Sequence, residues 1–242
     1  RRGAGYDDAM SRWPGARREE LDLVAERAAV SAGEVVVDVP AGGGWLADHL
    51  PHGTVIVAVE PSGPFSERCA ARSGVQAVQA PITATTLDPA SADVVVSLAG
   101  LHHVADHREA YAEFARILRP GGRLVIADVA VGSPVARFLD GFVDRHNSEG
   151  HHGRYLGPDL AAQVAAAGFD AVRVDDVDHH WRFDGREDMV LFATLLFGLD
   201  RATPADVEEG LASHLGWQPD GAGIALAWGL RVATARRSAP SA

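Results

Sequence analysis

The sequence contains no lysine, and all 22 of its basic residues are arginines. Schiff-base enzymes, P-loop nucleotide hydrolases and reductases with a Tyr-Lys pair all need a lysine at the reacting centre. The absence of lysine therefore excludes these three classes of enzyme.

Cysteine is almost as scarce, because Cys69 is the only one among 242 residues. A single cysteine excludes an internal disulfide and a metal cage built from cysteines, and it suits a reducing compartment. No apolar run approaches the roughly 20 residues of a membrane span, and none resembles a signal peptide. We therefore expect a cytoplasmic protein without a membrane partner.

Apart from ARREE near the start and ARR close to the end, no basic cluster stands out, and the formal net charge is −11. A surface that follows a phosphate backbone is not expected, which argues against nucleic acid as a partner. The 11 histidines raise the question of a metal, since imidazole is a common ligand. Adjacent histidines rarely bind one ion, however, and neither an HExxH pattern nor a clear facial triad is visible. We expect no metal.

Short runs of valine and isoleucine alternate with helical patterns along the first half of the chain. Five of these runs are predicted strands, at residues 34–39, 54–59, 75–80, 92–98 and 122–129. Their near-continuous apolar content indicates strands buried on both faces. Helices are predicted between them at 45–50, 64–73 and 107–119. This βαβ rhythm predicts an α/β, Rossmann-like fold with helices on both faces of a mostly parallel sheet.

The rhythm changes after residue 130, where helical patterns dominate and two further strands, at 169–177 and 223–236, complete a seven-stranded sheet. Apolar helices at 191–199 and 208–217 either pack on the sheet or form a homodimer face. We expect one domain with four parts: an N-terminal helical cap (1–33), a cofactor-binding core (34–130), a lid with the substrate-binding segment (131–168) and C-terminal strands and helices (169–242).

Three consecutive glycines, Gly42, Gly43 and Gly44, follow the first strand. In a parallel sheet a ligand binds at this position, because glycine lets the backbone approach it and backbone N–H groups point at its anionic part. Glu60 ends the second strand about 20 residues later, where an acidic residue binds ribose hydroxyls. Together these features predict a nucleoside-bearing cofactor. The loop also fits the dinucleotide pattern GxGxxG/A, so the loop alone does not identify the cofactor.

Three segments resemble the class I S-adenosylmethionine-dependent methyltransferases, in particular the methyltransferase domain of ubiquinone and menaquinone biosynthesis. VVDVPAGGG resembles the first motif of that family, VAVEPS its acidic ribose contact, and ARILRPGGRLVIADV the signature around its fifth strand. The resemblance is strong over residues 30–130 and topological beyond them. It implies that the cofactor is S-adenosylmethionine, with S-adenosylhomocysteine as product.

The resemblance also implies roles for individual residues. Ala41, Gly42 and Gly44 would hold the methionine part, Asp38 would orient the loop, and Glu60 would bind the ribose. Pro40 replaces the usual glycine, and Pro81-Ile82 stands where the family often has an adenine-binding aspartate, so the Ile82 N–H would hold adenine instead. The remaining expected cofactor contacts are Tyr6, Pro61, Ser97 and Ala99. Tyr6 and Trp13 either fold over the cofactor or dock the first helix on the core.

Histidines supply the candidate catalytic residues. The loop AGLHHVAD after the fourth strand points into the expected crevice, so His102 and His103 are the first candidates. The second group lies in DRHNSEGHHGRY, a segment that the resemblance places in a lid. There His151 and His152 are further catalytic candidates, and the expected substrate contacts are Phe142, His146, Arg154 and Tyr155.

The sequence therefore predicts a methyltransferase that acts on a small molecule, by O- or C-methylation in secondary metabolism. Methyl transfer is an in-line displacement that needs alignment of the acceptor, with a base only where the acceptor loses a proton. Three alternatives remain open, since fold does not fix function: a non-methylating reaction such as cyclisation with the same cofactor, an NAD-dependent oxidoreductase, and a non-catalytic nucleoside-binding subunit.

Overall fold

The computed structural model describes residues 2–239, and side chains from Gly5 onward. The helices in this part of the chain are α1 (Arg2–Arg12), α2 (Arg18–Ala28), α3 (Gly63–Ala70), α4 (His107–Ile117), α5 (Pro134–Arg137), α6 (Asp144–His146), α7 (Leu160–Ala166), α8 (Arg186–Phe197) and α9 (Pro204–His214). The strands are β1 (Val35–Asp38), β2 (Val55–Val59), β3 (Val75–Val78), β4 (Ala92–Leu98), β5 (Leu118–Asp128), β6 (Phe169–Phe183), β7 (Trp217–Asp220) and β8 (Gly223–Arg237). A π-helical turn at Phe138–Val143 joins α5 to α6.

The strands form one sheet in the order β3-β2-β1-β4-β5-β8-β6, with β7 paired to β8. The pairs from β3 to β5 are parallel, and β8 runs antiparallel to both β5 and β7. The predicted Rossmann-like, mostly parallel fold is confirmed. The sheet has eight strands rather than seven, because β7 was not predicted. Its sequence, WQPD, contains a proline, three of its four residues are exposed, and it shows no alternation of apolar and polar residues.

Buried valines pair across the central strands, and β1 ends at an aspartate. Val36 of β1 lies opposite Ile56 of β2 and Val94 of β4, and Val36 and Val94 are fully buried. Asp38 ends β1 opposite Ala58 and Val96. Parallel strands in this register bring the loops that follow β1, β2 and β4 to the same edge of the sheet.

Two predicted boundaries were wrong. The segment 45–50 forms a short 3₁₀ helix, Trp45–His49, instead of a full crossover helix. His179 and Trp181 lie inside β6 instead of after it, because alternate residues at its end, His179, Trp181 and Phe183, are buried. The alternation extends the strand beyond the valine-rich part that the sequence identified.

The chain divides into two compact units. Unit 1 comprises the residues up to Glu20, Val129–Tyr155 and Val177–Leu230, and unit 2 comprises Leu21–Asp128, Leu156–Asp176 and the residues from Arg231 on. The division into cap, core, lid and C-terminal part stays a prediction. Among the described residues, no helix is both long and apolar enough to cross a membrane.

In unit 2, the core lies between the sheet and the helices α4 and α7. Helix α4 buries Ala110, Tyr111, Phe114 and Ile117, which share one helical face. Asp106 caps its start by accepting a hydrogen bond from the Arg108 N–H at 3.0 Å. The same core contains Val37 and other side chains of the central strands.

In unit 1, aromatic side chains form the core. The Trp181 and Trp228 rings stack at 4.0 Å between centroids, and Phe192 meets Trp181 edge-on at 5.6 Å. Trp13 contacts Phe192 edge-on at 6.1 Å. Helix α1 packs closely against α8, since a Cβ added at Gly5 would lie 2.7 Å from the Leu195 carbonyl oxygen.

Candidate active site

The glycine loop begins where β1 ends. The Ala41 N–H donates to the Val59 carbonyl of β2 at 3.0 Å, and the Gly44 N–H turns back to the Ala41 carbonyl at 2.8 Å. Gly42 and Gly44 have φ angles of +55° and +72°, in the left-handed region that favours glycine. The predicted turn therefore has the backbone conformation for which its glycines are needed.

Glu60 holds this loop from the neighbouring strand. Its Oε2 accepts the Gly42 N–H and its Oε1 accepts the Ser62 N–H, each at 2.8 Å. Burial raises the pKa of Glu60, while these two N–H groups oppose the rise. The carboxylate predicted to bind ribose thus also fixes the glycine turn, and Pro61 lies exposed between its two contacts.

Asp38 is the last residue of β1, just before the same turn, and is 4% exposed. Burial and the charge of Glu60 raise the pKa of Asp38 to about 8. Two carboxyl groups in one buried region do not both ionise readily, because each charge disfavours the other. Asp38 is therefore the group that retains a proton near neutral pH.

The loop after β3 adjoins Glu60, whose N–H donates to the Val78 carbonyl at 3.0 Å. In this loop Pro81 is exposed and Ile82 is buried, and the Ala84 N–H closes a turn on the Pro81 carbonyl at 3.1 Å. The adenine contact predicted for the Ile82 N–H stays a prediction.

Glu113 of α4 anchors the same loop and was not foreseen from the sequence. One of its oxygens accepts the Thr85 N–H at 2.7 Å and the Thr85 hydroxyl at 2.6 Å. Burial opposes its ionisation, but hydrogen bonds from Arg116 and Thr85 lower the pKa of Glu113 to about 2. No sequence signal marks this contact, because its partners are 28 residues apart.

The end of β4 has two unusual features. The Ser97 hydroxyl is buried and has no hydrogen-bond partner among the described residues. Ala99 has a φ of +49°, a conformation that non-glycine residues seldom adopt and that often marks functional sites. Gly100 then packs on the Pro40 ring, since an added Cβ would lie 2.1 Å from Pro40 Cγ.

These features fit a nucleoside-bearing cofactor. The positive φ angles of the glycine loop let the main chain approach a ligand, and Ser97 offers an unpaired buried hydroxyl at the same edge. The loops after β1 and β4 touch through Pro40 and Gly100.

His102 is held by an acidic residue at the end of β5. Its Nδ1 lies 2.7 Å from Asp128 Oδ1, and its backbone N–H donates to Asp128 Oδ2 at 3.1 Å. His102 is 8% exposed and Asp128 is 1% exposed. Asp128 was not predicted as a site residue, although an acidic residue ending an otherwise apolar strand was a usable signal.

His103 lies beside this pair and is exposed, with its ring centroid 4.1 Å from that of His102. A carboxylate only accepts hydrogen bonds, so with Asp128 ionised a neutral His102 would carry its proton on Nδ1, and Nε2 would be its basic nitrogen. The arrangement can accept a proton from a ligand at the carboxyl ends of β4 and β5.

In unit 1, the histidine-rich loop is tied to the π-helical turn by Asp140. One oxygen of Asp140 accepts the Tyr155 hydroxyl at 2.6 Å and the Gly153 N–H at 3.1 Å, and it lies 3.4 Å from His151 Nδ1. The next acidic residue, Asp144, accepts the His151 N–H at 2.8 Å. The loop is thus built around two carboxylates.

The remaining predicted residues of unit 1 have different surroundings. Phe142 is buried, with its ring 4.4 Å from that of His146. His152 and Arg154 are exposed. Tyr6 accepts a hydrogen bond from Arg17 Nη1 at 2.9 Å. The catalytic, substrate and cofactor roles of these residues stay predictions, as does the absence of a metal.

Comparison with known proteins identifies similarity over the segment that contains the glycine loop and Glu60. The family described as "Methyltransferase domain" matches residues 37–126. An uncharacterised methyltransferase of Geobacillus thermodenitrificans is 32% identical over 114 residues, covering 45% of this chain and 53% of that protein. The chain spans about half the length of the Geobacillus relatives it matches.

Longer but weaker similarity extends beyond that segment. The 27-O-demethylrifamycin SV methyltransferase of Amycolatopsis mediterranei is 26% identical over 189 residues, covering 73% of this chain and 69% of that protein. Among solved structures, the cyclase SpnF has a TM-score of 0.62 at 21% identity, with 91% of this chain and 80% of that chain covered. This structural similarity concerns the fold alone.

Proposed function

We propose that this chain methylates a small-molecule acceptor. Its residues 37–126 are a class I S-adenosylmethionine-dependent methyltransferase domain, as the sequence resemblance predicted. The methyltransferase match and the structural neighbours support S-adenosylmethionine as its cofactor. The observation that carries the proposal is the His102–Asp128 pair, formed after β4 and at the end of β5, at the edge of the sheet where the glycine loop follows β1.

Different residues of the chain would have different roles in the reaction. When bound, S-adenosylmethionine would supply an electrophilic methyl group on its sulfonium sulfur, suited to in-line transfer to an acceptor oxygen. Ala41, Gly42 and Gly44 would hold the methionine part, and Glu60 the ribose. His102 Nε2 would take the hydroxyl proton, and Asp128 would stabilise the resulting imidazolium.

The acceptor we favour is a hydroxyl-bearing natural product, as expected for secondary metabolism. A base held by a buried carboxylate is useful where the acceptor must lose a proton, which favours O-methylation, or C-methylation next to an acidifying group. One relative is named for 27-O-demethylrifamycin SV as its acceptor, which supports this class of compound. Cytoplasmic location, a homodimer and the absence of nucleic-acid and membrane partners stay predictions from the sequence.

The first test is calorimetric titration with S-adenosylmethionine, S-adenosylhomocysteine and NAD(H). We expect both sulfur nucleosides to bind, and Gly42→Val and Glu60→Ala to abolish binding, because they alter the glycine turn and its anchor. Binding of NAD(H) alone would overturn the proposal in favour of the oxidoreductase.

The second test addresses the base, using a panel of phenolic, enolic and alcoholic acceptors. In Asp128→Asn, we expect kcat to fall about 100-fold or more, because the imidazolium loses its counter-charge and the tautomer changes. Dissociation constants for S-adenosylhomocysteine should stay within twofold of wild type. An unchanged kcat would exclude the proposed base, and product formation without S-adenosylhomocysteine would indicate a non-methylating reaction such as cyclisation.

A further inference from the structure

The carbonyl side of the glycine loop is held by the end of α3. Cys69 Sγ donates to the Gly42 carbonyl at 3.2 Å, and Arg72 Nε donates to the Gly43 carbonyl at 2.7 Å. Glu60 binds the Gly42 N–H from the other direction. The segment between Glu60 and Arg72 therefore contacts both the donors and the acceptors of this loop.

Arg72 makes three separate contacts with the loop and its continuation. Besides the Gly43 carbonyl, its Nη1 donates to Asp48 Oδ2 at 2.9 Å in the 3₁₀ helix. Its guanidinium carbon lies 4.2 Å from the centroid of the Trp45 ring, which is a cation–π distance. The planar guanidinium is suited to combine these contacts, since it stacks by its face and donates from its edge.

Arg72 also accounts for the glycine at position 44. A Cβ added there would lie 3.1 Å from Arg72 Cδ and 3.4 Å from Cys69 Sγ. The φ of +72° at Gly44 is a second reason. The loop and the aliphatic part of the Arg72 side chain thus pack so closely that a Cβ at position 44 would require a shift of a few tenths of an ångström.

We propose that Arg72 is a positioning residue that holds the glycine loop in its cofactor-binding conformation before the cofactor arrives. This proposal rests on the proposed function. Three consecutive glycines have high conformational freedom, and a ligand that must order them loses affinity. Because Arg72 binds the Gly43 carbonyl and stacks on Trp45, the loop is already ordered in the folded protein, and the cofactor does not have to order it on binding.

The test compares Arg72→Ala and Arg72→Lys with a matched control, Arg186→Ala. Arg186 also stacks on a tryptophan, at 4.5 Å from the Trp217 centroid, and also pairs with a carboxylate, Glu208 at 3.3 Å. It belongs to unit 1, whereas the glycine loop belongs to unit 2. The control therefore loses a tryptophan stack and a carboxylate pair, as Arg72→Ala does, but not a hydrogen bond to the glycine loop.

We expect Arg72→Ala to raise the calorimetric dissociation constant of S-adenosylhomocysteine about tenfold, as loss of a charge-assisted hydrogen bond does. Arg72→Lys should raise it at least threefold, because lysine keeps a donor but loses the planar stack. Arg186→Ala should match wild type. The KM for S-adenosylmethionine should rise in Arg72→Ala while kcat at saturation stays unchanged, which general destabilisation would not produce.

Several results would overturn this role of Arg72. One is an unchanged dissociation constant in Arg72→Ala; another is a weakening of equal size in Arg186→Ala. If Arg72→Ala does not fold, Arg72→Lys decides, and a constant within twofold of wild type would reject the proposal. Failure of the wild-type protein to bind S-adenosylhomocysteine would instead reject the proposed function, so the two failures are distinguishable.

Discussion

Asp38 is a residue whose protonation the fold changes strongly, since its pKa rises from an ordinary 3.8 to about 8. Between these values the folded protein retains a proton that the unfolded chain has released. The contribution of Asp38 to stability is therefore fully present below about pH 4 and is lost as the pH rises towards 8. Its pH dependence is opposite to that of a carboxylate in an ion pair.

This reasoning gives a prediction for Asp38→Asn, which cannot ionise. As the pH rises from 5 to 8, the free energy of unfolding of the wild type should fall relative to that of the variant. The change should be up to about 1.4 kcal/mol per pH unit, the limit for one proton. Urea unfolding of the ligand-free proteins at four pH values measures it. Parallel stability curves for the two proteins would contradict the raised pKa.

The site residues that the sequence could predict are those whose chemistry is local. Gly42 and Gly44 were recognisable because a turn at a strand end needs positive φ, and Glu60 because it ends the next strand. Arg72 and Glu113 were missed because tertiary packing selects their partners, whereas Asp128 was missed although its place at the end of an apolar strand was a usable signal. Arg72, for example, binds a carbonyl 29 positions earlier in the chain.

At the scale of elements, the histidine-rich loop after α6 depends on the π-helical turn before it. The turn carries Asp140, whose Oδ1 accepts hydrogen bonds from Gly153 and Tyr155. A backbone segment held by few buried apolar contacts relies on such polar links for its order. Asp140 is therefore expected to control the local opening of this loop.

Replacing Asp140 by alanine should speed amide hydrogen exchange in residues 150–155 about tenfold, because the acceptor shared by this loop is lost. Hydrogen-exchange mass spectrometry of wild type and variant measures this rate. Asp184→Ala, an exposed acidic residue before α8, serves as the control and should leave exchange unchanged in that loop. Equal exchange in all three proteins would mean that other contacts order the loop.

Helices and strands were predictable where the apolar residues of a segment follow one regular pattern. The valine runs of β1, β2 and β4 were placed within a residue or two, because each strand contains consecutive buried residues without alternation. The end of β6 was missed, since His179 and His180 interrupt the apolar pattern and only the packing of Trp181 shows which face is buried. Strand β8 was predicted from its apolar residues, whereas β7 was missed because its sequence has no apolar pattern.

At the scale of the whole molecule, the cofactor assignment makes a prediction about stability. A ligand that binds only the folded state stabilises it by about 2.7 kcal/mol at 100 times its dissociation constant. For a chain of 242 residues this corresponds to a rise in Tm of roughly 5–10 °C. S-adenosylhomocysteine should therefore raise the Tm, whereas NAD(H) at equal concentration should not.

Differential scanning calorimetry of wild type and Glu60→Ala makes this distinction without knowledge of the acceptor. Glu60 accepts two backbone N–H groups, so its loss frees the Gly42 turn and should remove most of the Tm rise. A variant that keeps the full rise would mean that the nucleoside binds elsewhere in the chain. A rise with NAD(H) that Glu60→Ala removes would mean that the glycine loop binds a dinucleotide, because ribose hydroxyls are common to both cofactors and only their remaining parts differ.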